Sequence, residues 1–225
     1  MINNEQNIPF EVKIVHGSEV PKTYSRLCEK EDITPIILGG KDNVETLFDL
    51  EFEETPEEII EKSKHFDIKE FIKNREEEFE YYPMEELLGE WTGCTDKQRE
   101  EPIAHLDILS GKPLEEVYIG VLPTKKSFET PAYVSFGNWN KCPSPEDHVG
   151  IMRYWNEKYG AEVVSMTSDI IECTIKNPPS TKEEALELAK EQFFYCPDIV
   201  VQGTQTIFEL AEALLNSKYW FFWWD

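Results

Sequence analysis

Six consecutive aromatic residues at positions 219–224 (YWFFWW) constrain the fold more than any other feature of this sequence. Read as a strand, the run alternates: Trp220, Phe222 and Trp224 turn to one side, Phe221 and Trp223 to the other. Both sides are then strongly apolar, so both faces of the strand are expected to be covered, because a large bare aromatic face is unusual on a monomer. Helices would cover one face, and the N-terminal half of the chain or a second subunit the other. The competing reading is a docking peptide for a partner. The chain is large enough for the covered version: 225 residues, 40% hydrophobic and 12% aromatic, suit a packed globular protein of one large domain or two small ones.

The pattern upstream supplies the layers. In the second half, strand-like runs are expected at 116–122 (EVYIGVL), 132–136 (AYVSF), 162–166 and 170–175, with a hairpin turn at Thr167-Ser168-Asp169. Ser144-Pro145-Glu146-Asp147 opens a helix whose apolar stripe is Val149, Met152, Trp155 and Tyr159, closed by Gly160. Ser180 and Glu183 form a capping box for a second helix carrying Ala185, Leu188, Ala189 and Phe193. Ile207, Leu210, Ala211, Leu214 and Leu215 have the spacing of a third. The order β-β-α-β-β-α-α-β predicts an α+β fold, a largely antiparallel sheet with helices packed on one face. Residues 113–225 would form this domain, and residues 1–112 an acidic α/β-type N-terminal region.

Charge divides the chain the same way. With 45 acids and 22 bases the formal charge is −23; residues 1–120 carry 30 acids and 13 bases (−17), residues 121–225 only 15 and 9 (−6). Strands are expected at 10–15 (FEVKIV) and 33–38 (ITPIIL), the second followed by Gly39-Gly40 and a helix from about Asp42. Gly39-Gly40 has neither a GxGxxG spacing nor a GKS/T ending, so it reads as a turn. The block 42–90 holds 18 acids and 5 bases, yet it keeps helical order. Thr55-Pro56-Glu57-Glu58 is a helix start, and Ile68, Phe71, Ile72, Phe79 and Tyr82 form a stripe that includes Arg75. Glu76, Glu77, Glu78 and Glu80 fall mainly on the other side, either as a solvated face or as an acidic surface for a basic partner.

Several function classes are disfavoured. A pI near 4.5 argues against nucleic acid and against anionic membranes, both of which require basic surface. No apolar run has the length of a membrane span, and the N-terminal residues lack the basic and apolar segments of a signal peptide, so a cytoplasmic location is expected. Five cysteines, Cys28, Cys94, Cys142, Cys173 and Cys196, contain no CxxC pair and read as free thiols. His16, His65 and His105 have no ligand spacing, so no metal is expected, and with no GxSxG, Walker or Rossmann fingerprint no cofactor is expected either. Cys142 and His148 lie six residues apart, but a packing or capping histidine is the plainer reading, since nothing in the sequence marks a third, orienting group.

The runs PAYVSFGNWNKCP, RYWNEKYGAEVV, NPPSTKEEALELAKEQFFYCPDIVVQG and the terminal WFFWWD, in this order over about residues 115–225, resemble the bacterial domain-of-unknown-function family 4253. The resemblance implies a C-terminal α+β domain in soluble bacterial proteins, and no activity or cofactor. The polar residues of these motifs give a candidate site at Trp139, Asn140, Glu191, Tyr195, Asp198 and Gln202. Glu184 is a helix-start acid, and Asp198 suits the helix exit after Pro197. Asp225, beside the tryptophans, would need a donor or cation, for which Arg153 is the expected partner. Two functions follow. The first is a protein-binding module of the immunity or antitoxin kind, using Glu76, Glu77, Glu78 and Glu80 against a basic protein. The alternative is an enzyme of unknown reaction with a polar site around Trp139, Glu191 and Asp198.

Overall fold

The structure is a computed structural model that describes residues 8–49, 53–93 and 101–225. Six strands, β1 (Glu11–Val15), β2 (Thr34–Gly39), β3 (Val117–Leu122), β4 (Ala161–Met166), β5 (Ile170–Ile175) and β6 (Tyr219–Trp223), form one sheet in the order β1-β3-β2-β4-β5-β6. Every neighbouring pair is antiparallel except β2 and β4. The fold is therefore α+β with a largely antiparallel sheet. β3 lies between β1 and β2, so residues on both sides of position 112 share this sheet.

Alternation along the strands sorts the core onto two faces. On the first, Ile36, Leu38, Tyr118, Leu122, Val163, Ile171, Cys173, Trp220 and Phe222 join one large cluster. The helices that cover it are α2 (Lys41–Leu47), α4 (Ile68–Glu78), the short α5 (Met84–Leu88) through Leu87, α7 (Pro145–Tyr159), α8 (Lys182–Tyr195) and α9 (Ile207–Leu214). Trp155 of α7 is the hub: its ring stacks on Phe222 and meets Trp220 and Tyr195 edge-on, at centroid distances of 5.1–5.5 Å. On the second face Ile37, Val117, Ile119 and Val121 pack against Val20 and Leu27 of α1 (Val20–Cys28). Most helices lie on the first face, and α1, a helix of the N-terminal half that the sequence reading did not identify, packs on the second beside β2 and β3. The expected split of the aromatic run holds, with Trp220, Phe222 and Trp224 buried and Phe221 and Trp223 half-buried.

Capping chemistry sets the helix ends. Thr55 and Glu58 form a capping box at the start of α3 (Pro56–Ser63), and Ser144 accepts from the Asp147 N–H at the start of α7. Gly160 closes α7 with φ 64°, the left-handed conformation that favours glycine. Two local expectations fail. Residues 132–136 are not a strand: Thr130–Val134 is the short helix α6, with Pro131 at its first turn, where the missing N–H costs nothing. The α8 capping box is formed by Thr181 and Glu184, one residue beyond Ser180 and Glu183. Between α8 and α9 the chain makes a π-helical turn, Ile199–Thr204, that nothing in the pattern had indicated.

Candidate functional site

The loop 135–143, which carries much of the motif PAYVSFGNWNKCP, folds against the C-terminal end of the sheet. Ser135, Asn138 and Asn140 all have φ between 46° and 68°, and Gly137 has φ 126°. An added Cβ on Gly137 would meet the Pro143 carbonyl at 2.1 Å, so the backbone approach itself requires glycine. Three of the predicted site residues are joined here through the last residue of the chain. Asn140 Nδ2 donates to the Asp225 carbonyl (2.6 Å), the Asp225 N–H donates to Asp198 Oδ2 (3.1 Å), and Gln202 Nε2 donates to Asp198 Oδ1 (3.2 Å). Trp139 packs edge-on against Phe136, which touches Trp224. Asp225 is thus met by Asn140 and Asp198. Arg153, its expected partner, instead donates to the Ser63 carbonyl, because α7 places it beside α3.

Tyr195 contributes below the surface. Its hydroxyl is 2.6 Å from His148 Nδ1, and His148 Nε2 is 3.2 Å from Cys142 Sγ. The third group that the sequence could not supply for Cys142 and His148 is therefore Tyr195, 47 positions away from His148. Environment decides what the trio can do. Burial, reinforced by the positive charge of Arg75, holds the His148 imidazole down at about 3, and burial pushes the Cys142 thiol well up. At neutral pH this is a neutral thiol beside a neutral imidazole, the state of a structural cysteine rather than of an activated nucleophile. A neutral imidazole offers one donor and one acceptor, and the two flanking groups use both.

Glu191 stands with different partners. Tyr154 Oη and Trp155 Nε1 each donate to it at 2.9 Å, and Lys158 Nζ lies at 3.2 Å. This ties α7 to α8 and occupies both carboxylate oxygens. The same use of a buried carboxylate recurs at Glu172, which receives the Ser165 and Tyr219 hydroxyls and the N–H groups of Ile103 and Ala104, and at Glu212, which receives the N–H groups of Thr92 and Gly93 and the Thr92 hydroxyl.

The acidic helix α4 reaches the same loop. Arg75, buried, donates through Nε to the Phe194 carbonyl (2.9 Å) and through Nη2 to the Lys141 carbonyl (2.6 Å), and its guanidinium lies 4.3 Å from the centre of the Phe79 ring. Its Nη1 pairs with Glu78 (2.7 Å), whose other oxygen takes Lys141 Nζ (3.0 Å). Glu78 is thus locally neutralised, whereas Glu76, Glu77 and Glu80 are exposed and carry no ion pair among the described residues. Beside α4 a cleft of about 690 Å³ runs between α3, α4 and the start of α7, with Asp67, Glu70, Glu78, Glu146 and Asp147 among its lining residues. Burial raises the Asp147 carboxyl above its ordinary range, against the lowering effect of the Ser144 hydroxyl. Among the described residues no group of three or more His, Cys, Asp or Glu side chains could hold a metal ion, and no helix is long and apolar enough to cross a membrane. Cys28, Cys142, Cys173 and Cys196 are free thiols; Cys94 lies outside the described residues.

Fold and site together define an α+β protein whose strained loop, terminal aromatic strand and buried Cys-His-Tyr network form one unit. Residues 118–225, which contain that unit, match the model of a family described as domain of unknown function (DUF4253), the family that the motifs resemble. The match begins inside β3, so β1, β2 and the acidic helices lie outside it. Searches of curated proteins and of solved structures each return no match.

Proposed function

We propose that this chain is a protein-binding module, of the immunity or antitoxin kind, that presents α4 and the neighbouring cleft to a basic partner. The observation that carries this reading is the cluster of exposed acids at the C-terminal end of α4. Arg75 and Lys141 are turned into contacts with the chain itself, while Glu76 and Glu77 at the end of α4 and Glu80 in the turn after it are exposed and carry no ion pair among the described residues; the exposed Lys69 and Lys73 lie in the first half of the helix. The cleft beside them adds Asp67, Glu70 and Glu146. Uncompensated charge on a rigid scaffold speeds encounter with an oppositely charged surface and selects against anionic ones.

The enzyme reading around Trp139, Glu191 and Asp198 has less support. Glu191 is taken up by Tyr154, Trp155 and Lys158, and Asp198 by Gln202 and the Asp225 backbone. A defined test uses a fluorescein-labelled octalysine peptide and anisotropy at ~20 and ~150 mM salt. Changing Glu76, Glu77 and Glu80 to Gln is expected to weaken binding at least about fivefold, whereas changing Glu29, Glu31 and Glu115 to Gln, an equal loss of charge elsewhere, costs less than about twofold. Equal losses in the two variants would reduce α4 to general solvation.

A further inference from the structure

A second cleft, of about 550 Å³, opens at the β6 edge of the sheet and shares no lining residue with the acidic one. Its walls are largely apolar: Ile199 of the π-helical turn, Leu210 and Leu214 of α9, and Trp223 of β6. A cleft of this size is in the range that holds a small molecule. Two polar side chains in its lining distinguish it from a packing defect. Gln192 and Trp220 are each 1% exposed, and neither Gln192 Nε2 nor Trp220 Nε1 has a hydrogen-bond partner among the described residues. Buried N–H groups are almost always paired, and an orphan is costly to the folded state. Both residues line the cleft, and each carries a buried donor for which the described residues supply no acceptor.

One wall of the cleft adds a second unusual feature. π-helical turns are rare and concentrate at functional sites. Here the turn Ile199–Thr204 ends at Gln205 with φ 73°, and it forms one side of the cleft. The remaining polar groups limit the charge of an occupant. Asp169 and Asp198 both line the cleft; Asp169 accepts from Trp223 Nε1 (3.2 Å) and Asp198 from Gln202 Nε2 and the Asp225 N–H. Two carboxylates without a cation among these partners repel an anion.

We propose that this cleft is a binding site for a neutral, apolar ring compound carrying a carbonyl-type acceptor at its inner end, the acceptor meeting Gln192 Nε2 and Trp220 Nε1. The site is independent of the acidic surface: it lies on β6, the π-helical turn and α9, and its ligand is uncharged where the proposed partner of α4 is basic.

The test uses the full chain and 6-propionyl-2-(dimethylamino)naphthalene, a neutral fluorophore with one carbonyl whose emission shifts to the blue on leaving water. Saturable, blue-shifted emission at one site per chain is expected. Ala213→Trp, placed in the half-buried part of the lining, fills the cleft and should weaken binding more than tenfold. Gln192→Leu removes one donor and should weaken it about 3–10-fold. The variant with Glu76, Glu77 and Glu80 changed to Gln should bind the fluorophore as the parent does, whatever it does to octalysine. Emission that never saturates, or binding unchanged in Ala213→Trp, would overturn the proposal. If Gln192→Leu unfolds, Ala213→Trp still decides, because that position lies outside the packed core.

Discussion

A single guanidinium joins three separate parts of the molecule. Arg75 joins α4 to the end of α8 and to the loop before α7 through two carbonyls, and its flat face lies over Phe79. Arg75→Lys keeps the charge but cannot reach both carbonyls while covering the ring. Urea unfolding is expected to show a loss of about 2–4 kcal/mol, nearly as large as for Arg75→Ala, because two buried carbonyls lose their donors in both. His148 gives a prediction in pH. The native imidazole titrates at about 3 and the unfolded one near 6.5. Below 6.5 the unfolded chain binds the extra proton, so the His148 contribution to stability falls as pH drops, by on the order of 1.4 kcal/mol per pH unit down to about 3. His105, lowered mainly by burial, acts in the same sense and Asp147, raised by burial, in the opposite one. The comparison of parent with His148→Gln removes both: the variant should have the flatter profile of melting temperature between pH 4.5 and 6.5. Identical profiles would show that the imidazole is charged in the folded state. The sequence marked His148 as a packing or capping residue, but the partners of both groups were not legible there, since Arg75 was one member of a stripe and His148 lay 47 residues from the hydroxyl that orients it.

Elements were legible where local rules and tertiary packing agree. The Thr55-Pro56 start, the Ser144 cap, the Gly160 stop and the 170–175 strand follow from side chains within a few residues of the structure they set. Residues 132–136 misled because apolar alternation over five residues also fits one buried turn of helix, and Pro131 was the better guide. α1 went unread since its inward residues, Val20, Thr23 and Leu27, are few and one of them is polar. Contact between α7 and the turn that joins α3 to α4 rests on a glycine. A Cβ at Gly150 would stand 2.2 Å from Cγ of Phe66. Gly150→Ala should therefore destabilise by about 1–3 kcal/mol despite the better helix propensity of alanine, measured by urea unfolding. A stabilised variant would mean that Phe66 moves aside freely.

At the scale of the whole molecule, charge and connectivity govern. With 45 acids against 22 bases, the folded chain repels itself, and salt relieves this. The melting temperature is expected to rise between ~10 and ~150 mM salt, as the Debye length shortens from ~30 to ~8 Å. A melting point indifferent to salt would show that ion pairs such as Lys62–Glu54, Lys125–Asp32 and Lys158–Glu187 already balance the acids locally. The α+β class was readable from element order, but the position of β3 between β1 and β2 was not, since strand pairing across 80 residues leaves no local mark. That placement has a consequence for synthesis. A ribosome delivers β1 and β2 long before Val117–Leu122, the strand that separates them in the sheet. For several seconds, at about 5–20 residues per second, the nascent chain holds β2, which is buried throughout in the finished sheet, without the strand that will separate it from β1. Until β3 arrives, the edge of β2 that it will occupy is open to pairing with a strand of another chain, so the order of the strands in the sequence delays closure of this part of the sheet.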